Sequence, residues 1–202
     1  METQLTNQEK KRIQEGIQEK YNKVAISPEG LFKYPTGRTG LEALKYDPKL
    51  VESLHENVAA SYCGVGNPFS LGQINKGEAV LDIACGAGVD TILAAMITGP
   101  AGNAIGVDIV PDMLKQGEEN LKMTDLDNVT FKKASGEKLP FGDHSFDVVI
   151  SNGVINLIPD KGATLKEAMR VLKPGGRLMI ADQITVGKLQ KDLKERIDSW
   201  FQ

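Results

Sequence analysis

With two cysteines in 202 residues, Cys63 and Cys85, the chain has too few thiols for the disulfide framework of a small secreted scaffold. Histidine is equally scarce: His55 and His144 form no cluster of metal-ligand spacing, so no metal site is expected. No apolar run approaches the roughly 20 residues that cross a bilayer, and no membrane partner is expected. The opening Met1-Glu2-Thr3-Gln4 is polar and lacks the apolar stretch of a secretory signal, so a cytoplasmic location is the default expectation. Basic excess is missing too. Lys and Arg number 24 against 27 Asp and Glu, and the net charge of −3 argues against nucleic acid as a partner. Internal repeats and low-complexity tracts are absent. What is present is ordinary globular composition, at a length that suits one α/β domain with a short extension.

Residues 1–77 read as a helical cap and loop segment leaning on the main domain. Ile13, Ile17, Tyr21 and Val24 recur at close to helical spacing, and a second helix is expected over 48–58. Ser27-Pro28-Glu29-Gly30 and Tyr34-Pro35-Thr36-Gly37 carry turn chemistry between them, and Gly64-Val65-Gly66-Asn67-Pro68 reads as a loop. From 78 to 202 strand and helix alternate, the pattern of a parallel sheet. Strands are expected at 79–84, 103–108, 129–133, 146–151 and 177–181, with a helix over 89–98 and another opened by Pro111 and Asp112. Leu165, Ala168, Met169 and Leu172 mark the apolar stripe of a further helix, ended by Pro174-Gly175-Gly176. Right-handed crossovers make a doubly wound, mostly parallel α/β sheet the economical topology. After the fifth strand the remaining residues suffice for one helix, with Val186, Leu189, Leu193, Ile197 and Trp200 on one face, so no C-terminal antiparallel strand pair is evident. That face is expected to cover a sheet edge, within the chain or across a homodimer.

The densest signal is residues 79–90, Ala-Val-Leu-Asp-Ile-Ala-Cys-Gly-Ala-Gly-Val-Asp. An apolar strand, a glycine turn and an immediate helix, followed by Asp108 after a second apolar run, read as a nucleoside-binding crevice. Gly86 and Gly88 let backbone approach a ligand, and Asp108 can accept from both hydroxyls of a ribose. Asp108 as a helix-capping acid before Pro111 is the plain alternative. Asp82 carries negative charge to the place where a dinucleotide would put its pyrophosphate, with no Lys or Arg nearby in sequence. A ribose-bearing cation therefore suits the site better than a phosphorylated ligand. S-adenosylmethionine, with sulfonium and ammonium groups, is such a ligand.

These motifs, together with Gly136-Glu137-Lys138-Leu139-Pro140-Phe141 and Leu172-Lys173-Pro174-Gly175-Gly176-Arg177, resemble in order and spacing those of class I S-adenosylmethionine-dependent methyltransferases. The resemblance implies a Rossmann-like fold, S-adenosylmethionine as cofactor and a small-molecule acceptor. It places Asp82 at the methionine end, Ala84, Cys85, Gly86 and Gly88 in the turn beneath the cofactor, and Asp108 on the ribose. Ile109 and Met113 would pack on the adenine, and Ser135, Gly136 and Glu137 would recognise it. Asn152 would face the crevice and contact the methionine ammonium or the acceptor. Catalytic residues are not assigned.

Within that superfamily the chain is similar to arsenite methyltransferases, through Gly66-Asn67-Pro68, Ile105-Gly106-Val107-Asp108, the Tyr21 stretch and Ser151-Asn152-Gly153-Val154-Ile155-Asn156-Leu157. It departs from them at three positions. Ala84 stands where the family has glycine, a mild change if the backbone there is not left-handed. Gly153 and Val65 stand where the resemblance implies metalloid-binding cysteines. Trivalent arsenic needs soft thiolates, and Cys63, two residues from Val65, is expected to point elsewhere. The resemblance thus supports the cofactor rather than the acceptor. Two other readings stay open: an S-adenosylmethionine-binding protein without turnover, and an arsenite methyltransferase with a displaced thiol site. An NAD-dependent oxidoreductase is disfavoured by Asp82 and by the lack of a third glycine.

Overall fold

The computed structural model describes residues 5–184 and 186. The expected helix over 186–201 therefore lies outside the described residues, Val186 apart.

Thr6 caps the first helix, α1 (Asn7–Val24), in a reciprocal box with Glu9, and Ile13, Ile17 and Val24 form its buried face. Three short helices follow: α2 (Gly37–Ala43), α3 (Pro48–Ser53) and α4 (Glu56–Ala60). The single helix expected over 48–58 is thus broken, with Leu54 and His55 extended. Side chains satisfy the backbone groups freed by the break. The Arg38 guanidinium donates to the carbonyls of Val51 and Leu54, and His55 Nδ1 accepts from the Asn57 amide. The turn residues 34–37 masked α2 in the sequence, since Gly37 begins it at φ 65°.

Five strands follow: β1 (Ala79–Ile83), β2 (Asn103–Asp108), β3 (Val129–Lys133), β4 (Phe146–Asn152) and β5 (Leu172–Ala181). They form one sheet in the order β3-β2-β1-β4-β5, every neighbouring pair parallel. The chain winds outward from β1 to β3 and then returns to place β4 on the other side of β1. That reversal leaves a gap at the C-terminal ends of β1 and β4, where ligands of open α/β sheets bind.

Helix α5 (Val89–Thr98) connects β1 to β2, α6 (Pro111–Leu121) connects β2 to β3, and α7 (Lys161–Val171) connects β4 to β5. Helix α5 is buried nearly all round because it is covered on two sides. Ala94 and Ala95 pack on Val80 and Ile150 of the sheet, while Val89, Ile92 and Leu93 join Leu41, Val51, Val58 and Tyr62 in one cluster. At about 1.5–3 kcal/mol for each large apolar side chain removed from water, that cluster is a substantial share of the folding free energy.

Two sequence expectations shift here. In α7 the buried positions are Thr164, Ala168 and Val171, whereas Leu165 and Met169 are exposed. The small side chains let the helix approach the sheet closely, with Thr164 against Gly136. Strand β5 begins at Leu172 rather than 177: Leu172 pairs with Phe146, the Pro174-Gly175-Gly176 stretch makes an irregularity, and pairing resumes at Arg177.

Ala84, just past β1, has φ 56°. The backbone there is left-handed, so alanine in place of the family's glycine is not a mild change. An L-residue in this region costs about 1–2 kcal/mol, partly offset because alanine narrows the unfolded ensemble. Ala84→Gly is expected to stabilise the protein by about 1 kcal/mol, raising the melting temperature by about 2–4 °C. Calorimetric melting decides it, and an unchanged or lower midpoint would show that the turn carries no strain.

Candidate functional site

The gap at the sheet reversal opens into a crevice whose empty space, open mouth included, is about 1020 Å³, concave as small-molecule sites are. Its floor is the turn after β1. The Cys85 amide donates to the Val107 carbonyl, extending the β1–β2 ladder by one bond, and the Gly88 amide closes the turn onto the Cys85 carbonyl. Asp108, at the end of β2, accepts from the Gly86 amide at 2.9 Å and the Val110 amide at 2.8 Å. One carboxylate thereby locks the glycine turn to the start of α6. It retains further lone pairs, so the capping role does not exhaust it as an acceptor.

Eleven of the twelve expected cofactor residues line this crevice: Asp82, Ala84, Cys85, Gly86, Asp108, Ile109, Met113, Ser135, Gly136, Glu137 and Asn152. Gly88 does not. A Cβ there would lie 2.3 Å from the Phe131 ring at φ 78°, so this glycine admits an aromatic side chain and a left-handed turn. Asn152 borders the crevice, but both ends of its amide are engaged. Its Oδ1 accepts from the Val65 and Gly66 amides, each at 3.0 Å, and its Nδ2 lies 2.8 Å from both the Gly66 carbonyl and Asp90 Oδ2. It clamps the 64–66 loop instead of presenting a free group to a ligand.

Other lining residues escaped the sequence reading. Ile17 and Tyr21 of α1 roof the crevice, and Tyr62, Cys63, Leu157 and Ile158 wall it. Cys63 thus faces the site it was expected to avoid. Asp90, to which the sequence reading gave no role, is buried and accepts from Asn152 and from the Tyr46 hydroxyl at 2.8 Å. The signal was there in retrospect, because a solvated capping acid does not need a helix that is apolar on every face. Val65 and Gly153 stand face to face: a Cβ on Gly153 would lie 3.6 Å from Val65 Cβ and 3.0 Å from one of its methyls. The valine fills the space a larger side chain at 153 would take.

Burial dominates the electrostatics. It pushes Asp82 well above the usual carboxylate range, helped by the Asp90 and Asp108 charges and opposed by the Thr91 hydroxyl at 2.7 Å. Asp90 is raised to about 6 by burial, against the hydrogen bonds from Asn152 and Tyr46. The Cys63 thiol is pushed up to about 12, by burial and then by Asp108 and Asp90. Three buried carboxylates therefore share one crevice that has no cationic side chain in its wall among the described residues. A bound cation relieves that arrangement.

A pH dependence follows. Asp90 is raised in the folded state, so between its unfolded and folded values the folded chain holds more protons, and stability falls as pH rises through that window. A cationic ligand favours the ionised form, so its binding releases protons and tightens with rising pH. S-adenosylmethionine affinity is expected to be weaker at about pH 5 than at about pH 7.5, and Asp90→Asn should flatten the profile. Isothermal titration at the two pH values checks it; equal affinities in the unsubstituted protein would overturn it.

Comparisons with known proteins agree with this geometry. The family described as Methyltransferase domain matches residues 74–202. An arsenite methyltransferase of Halobacterium salinarum is 34% identical over 98% of this chain and 54% of its own length. A demethylmenaquinone methyltransferase of Listeria welshimeri is 41% identical over 54% of this chain and 47% of its own. Among solved structures, an arsenic(III) S-adenosylmethionine methyltransferase from Chlamydomonas reinhardtii superposes with a TM-score of 0.54 at 33% identity, covering 74% of this chain and 50% of that one. The chain spans about half the length of the curated relatives it matches. Sheet order, glycine turn, strand-end carboxylate and family match converge, and the chain belongs to the class I S-adenosylmethionine-dependent methyltransferases.

Proposed function

We propose that this chain binds S-adenosylmethionine in the crevice and transfers its methyl group to a small-molecule acceptor that enters beside Tyr62, Val154 and Leu157. The observation that carries the reading is the group of three buried carboxylates, Asp82, Asp90 and Asp108, at the sheet reversal with no cation in the wall among the described residues. When bound, S-adenosylmethionine supplies an electrophilic methyl group on a sulfonium. The chain's own residues orient and exclude water. Asp108 holds the ribose; Asp82 faces the methionine end; Ile109 and Met113 flank the adenine; Ile17 and Tyr21 close the roof. A dry, ordered site brings the acceptor in line with the methyl group and favours dispersal of the sulfonium charge. The cap residues 1–77 contribute to acceptor choice through α1 and the 62–64 wall. Titration calorimetry with S-adenosylmethionine and with NAD tests the cofactor, and preference for NAD would overturn the reading. We also place the protein in the cytoplasm and expect a homodimer, which light scattering tests.

Arsenite is not the expected acceptor, although relatives carry it in their names. The Val65–Gly153 pair offers no sulfur, and burial holds the Cys63 and Cys85 thiols protonated at neutral pH. With arsenite, a thiol reductant and S-adenosylmethionine, methylated arsenic is expected to stay at background. Robust product, lost on Cys63→Ser, would show that the thiol site is displaced to this wall.

A further inference from the structure

The charge inventory of the crevice narrows the acceptor. Among the described residues in its wall, Asp82, Asp90, Asp108 and Glu137 carry carboxylates, and none is Lys, Arg or His. The positive end of α5 is already met by Asp90 in its first turn. Beside Asn152 and the 62–64 stretch, the wall is Tyr62, Gly153, Val154 and Leu157. Its polar groups are committed: the Tyr62 hydroxyl lies 2.8 Å from the Gly66 carbonyl, and the Asn152 amide is bonded at both ends. Lysines near the rim are likewise engaged. Lys10 pairs with Asp160, Lys161 donates to the Ile158 carbonyl, and the Lys20 ammonium sits over the Phe32 ring at 5.0 Å. A phosphate or carboxylate brought into this wall would lose its water and meet carboxylates; among the described residues the wall itself holds no cation, and Lys20, whose charge reaches Cys63, sits over the Phe32 ring.

Resting on the methyl-transfer reading above, we propose that the acceptor carries no net negative charge, and that the crevice excludes phosphorylated and carboxylate acceptors.

The test uses the full chain. A small-molecule extract is split on an anion-exchange resin at neutral pH, and each half is incubated with the protein and methyl-labelled S-adenosylmethionine. Label is expected in the unretained half, at least about tenfold above the retained half, because opposing like charges weaken binding by that much or more. Transfer of label chiefly into the retained, anionic half would overturn the proposal. Label in neither half, with cofactor binding intact by calorimetry, would instead overturn the transfer reading on which it rests.

Discussion

Replacing Asp108 by alanine is expected to weaken S-adenosylmethionine binding by about tenfold or more, since a charge-assisted hydrogen bond contributes about 1.5–3 kcal/mol. Asp108 is buried and already aimed by the Gly86 and Val110 amides, so little reorganisation is needed when a ribose arrives. Alanine also frees the Gly86 and Val110 amides that the carboxylate had satisfied. Asp108→Asn separates the two effects: it keeps an acceptor oxygen for one amide and loses the charge. Calorimetric titration of wild type and both variants is the measurement. Alanine affinity equal to wild type would remove Asp108 from the site. Asparagine affinity equal to wild type would show that the charge is not what binds.

Asn152 is the second position of large effect, and there the expected loss is stability. Its side chain joins the end of β4, the 64–66 loop and Asp90 of α5. Asn152→Ala leaves the Val65 and Gly66 amides and one Asp90 oxygen without partners, each unsatisfied group costing about 1–3 kcal/mol less what water recovers. A loss of about 3 kcal/mol, or a melting-point drop of about 6–12 °C, is expected. Asn152→Asp places a second carboxylate against Asp90; like charges raise both pKa values in the folded state, so this variant should lose stability as pH rises. A wild-type melting curve for the alanine variant would mean that the clamp carries no weight. A flat pH profile for the aspartate variant would mean that the two groups do not share the buried site.

These two residues differ in how readily the sequence discloses them. Asp108 follows an apolar strand at a fixed place after a glycine turn, and local pattern is enough to assign it. Asn152 is equally visible as a polar residue ending a strand. Its partners, however, lie 86, 87 and 62 positions away in the chain, and no local pattern indicates that its amide would be used up. The same holds for Gly88. It reads as one more turn glycine, and only the packed Phe131 ring shows why a side chain is excluded.

By itself the sequence determined the sheet and the glycine turn that floors the crevice. Period-two and period-3.6 patterns, glycine turns and strand-end acids are local properties, and parallel connections then leave few topologies. Tertiary structure alone decided the rest. It set Ala84 left-handed, broke the 48–58 helix where Arg38 could take its carbonyls, and turned α7 onto its small residues. It brought Val65 against Gly153 and gathered Asp82, Asp90 and Asp108 in a wall without a cation among the described residues. Those outcomes depend on which distant side chains reach the same volume and are desolvated together, and desolvation is a property of the packed molecule rather than of any segment.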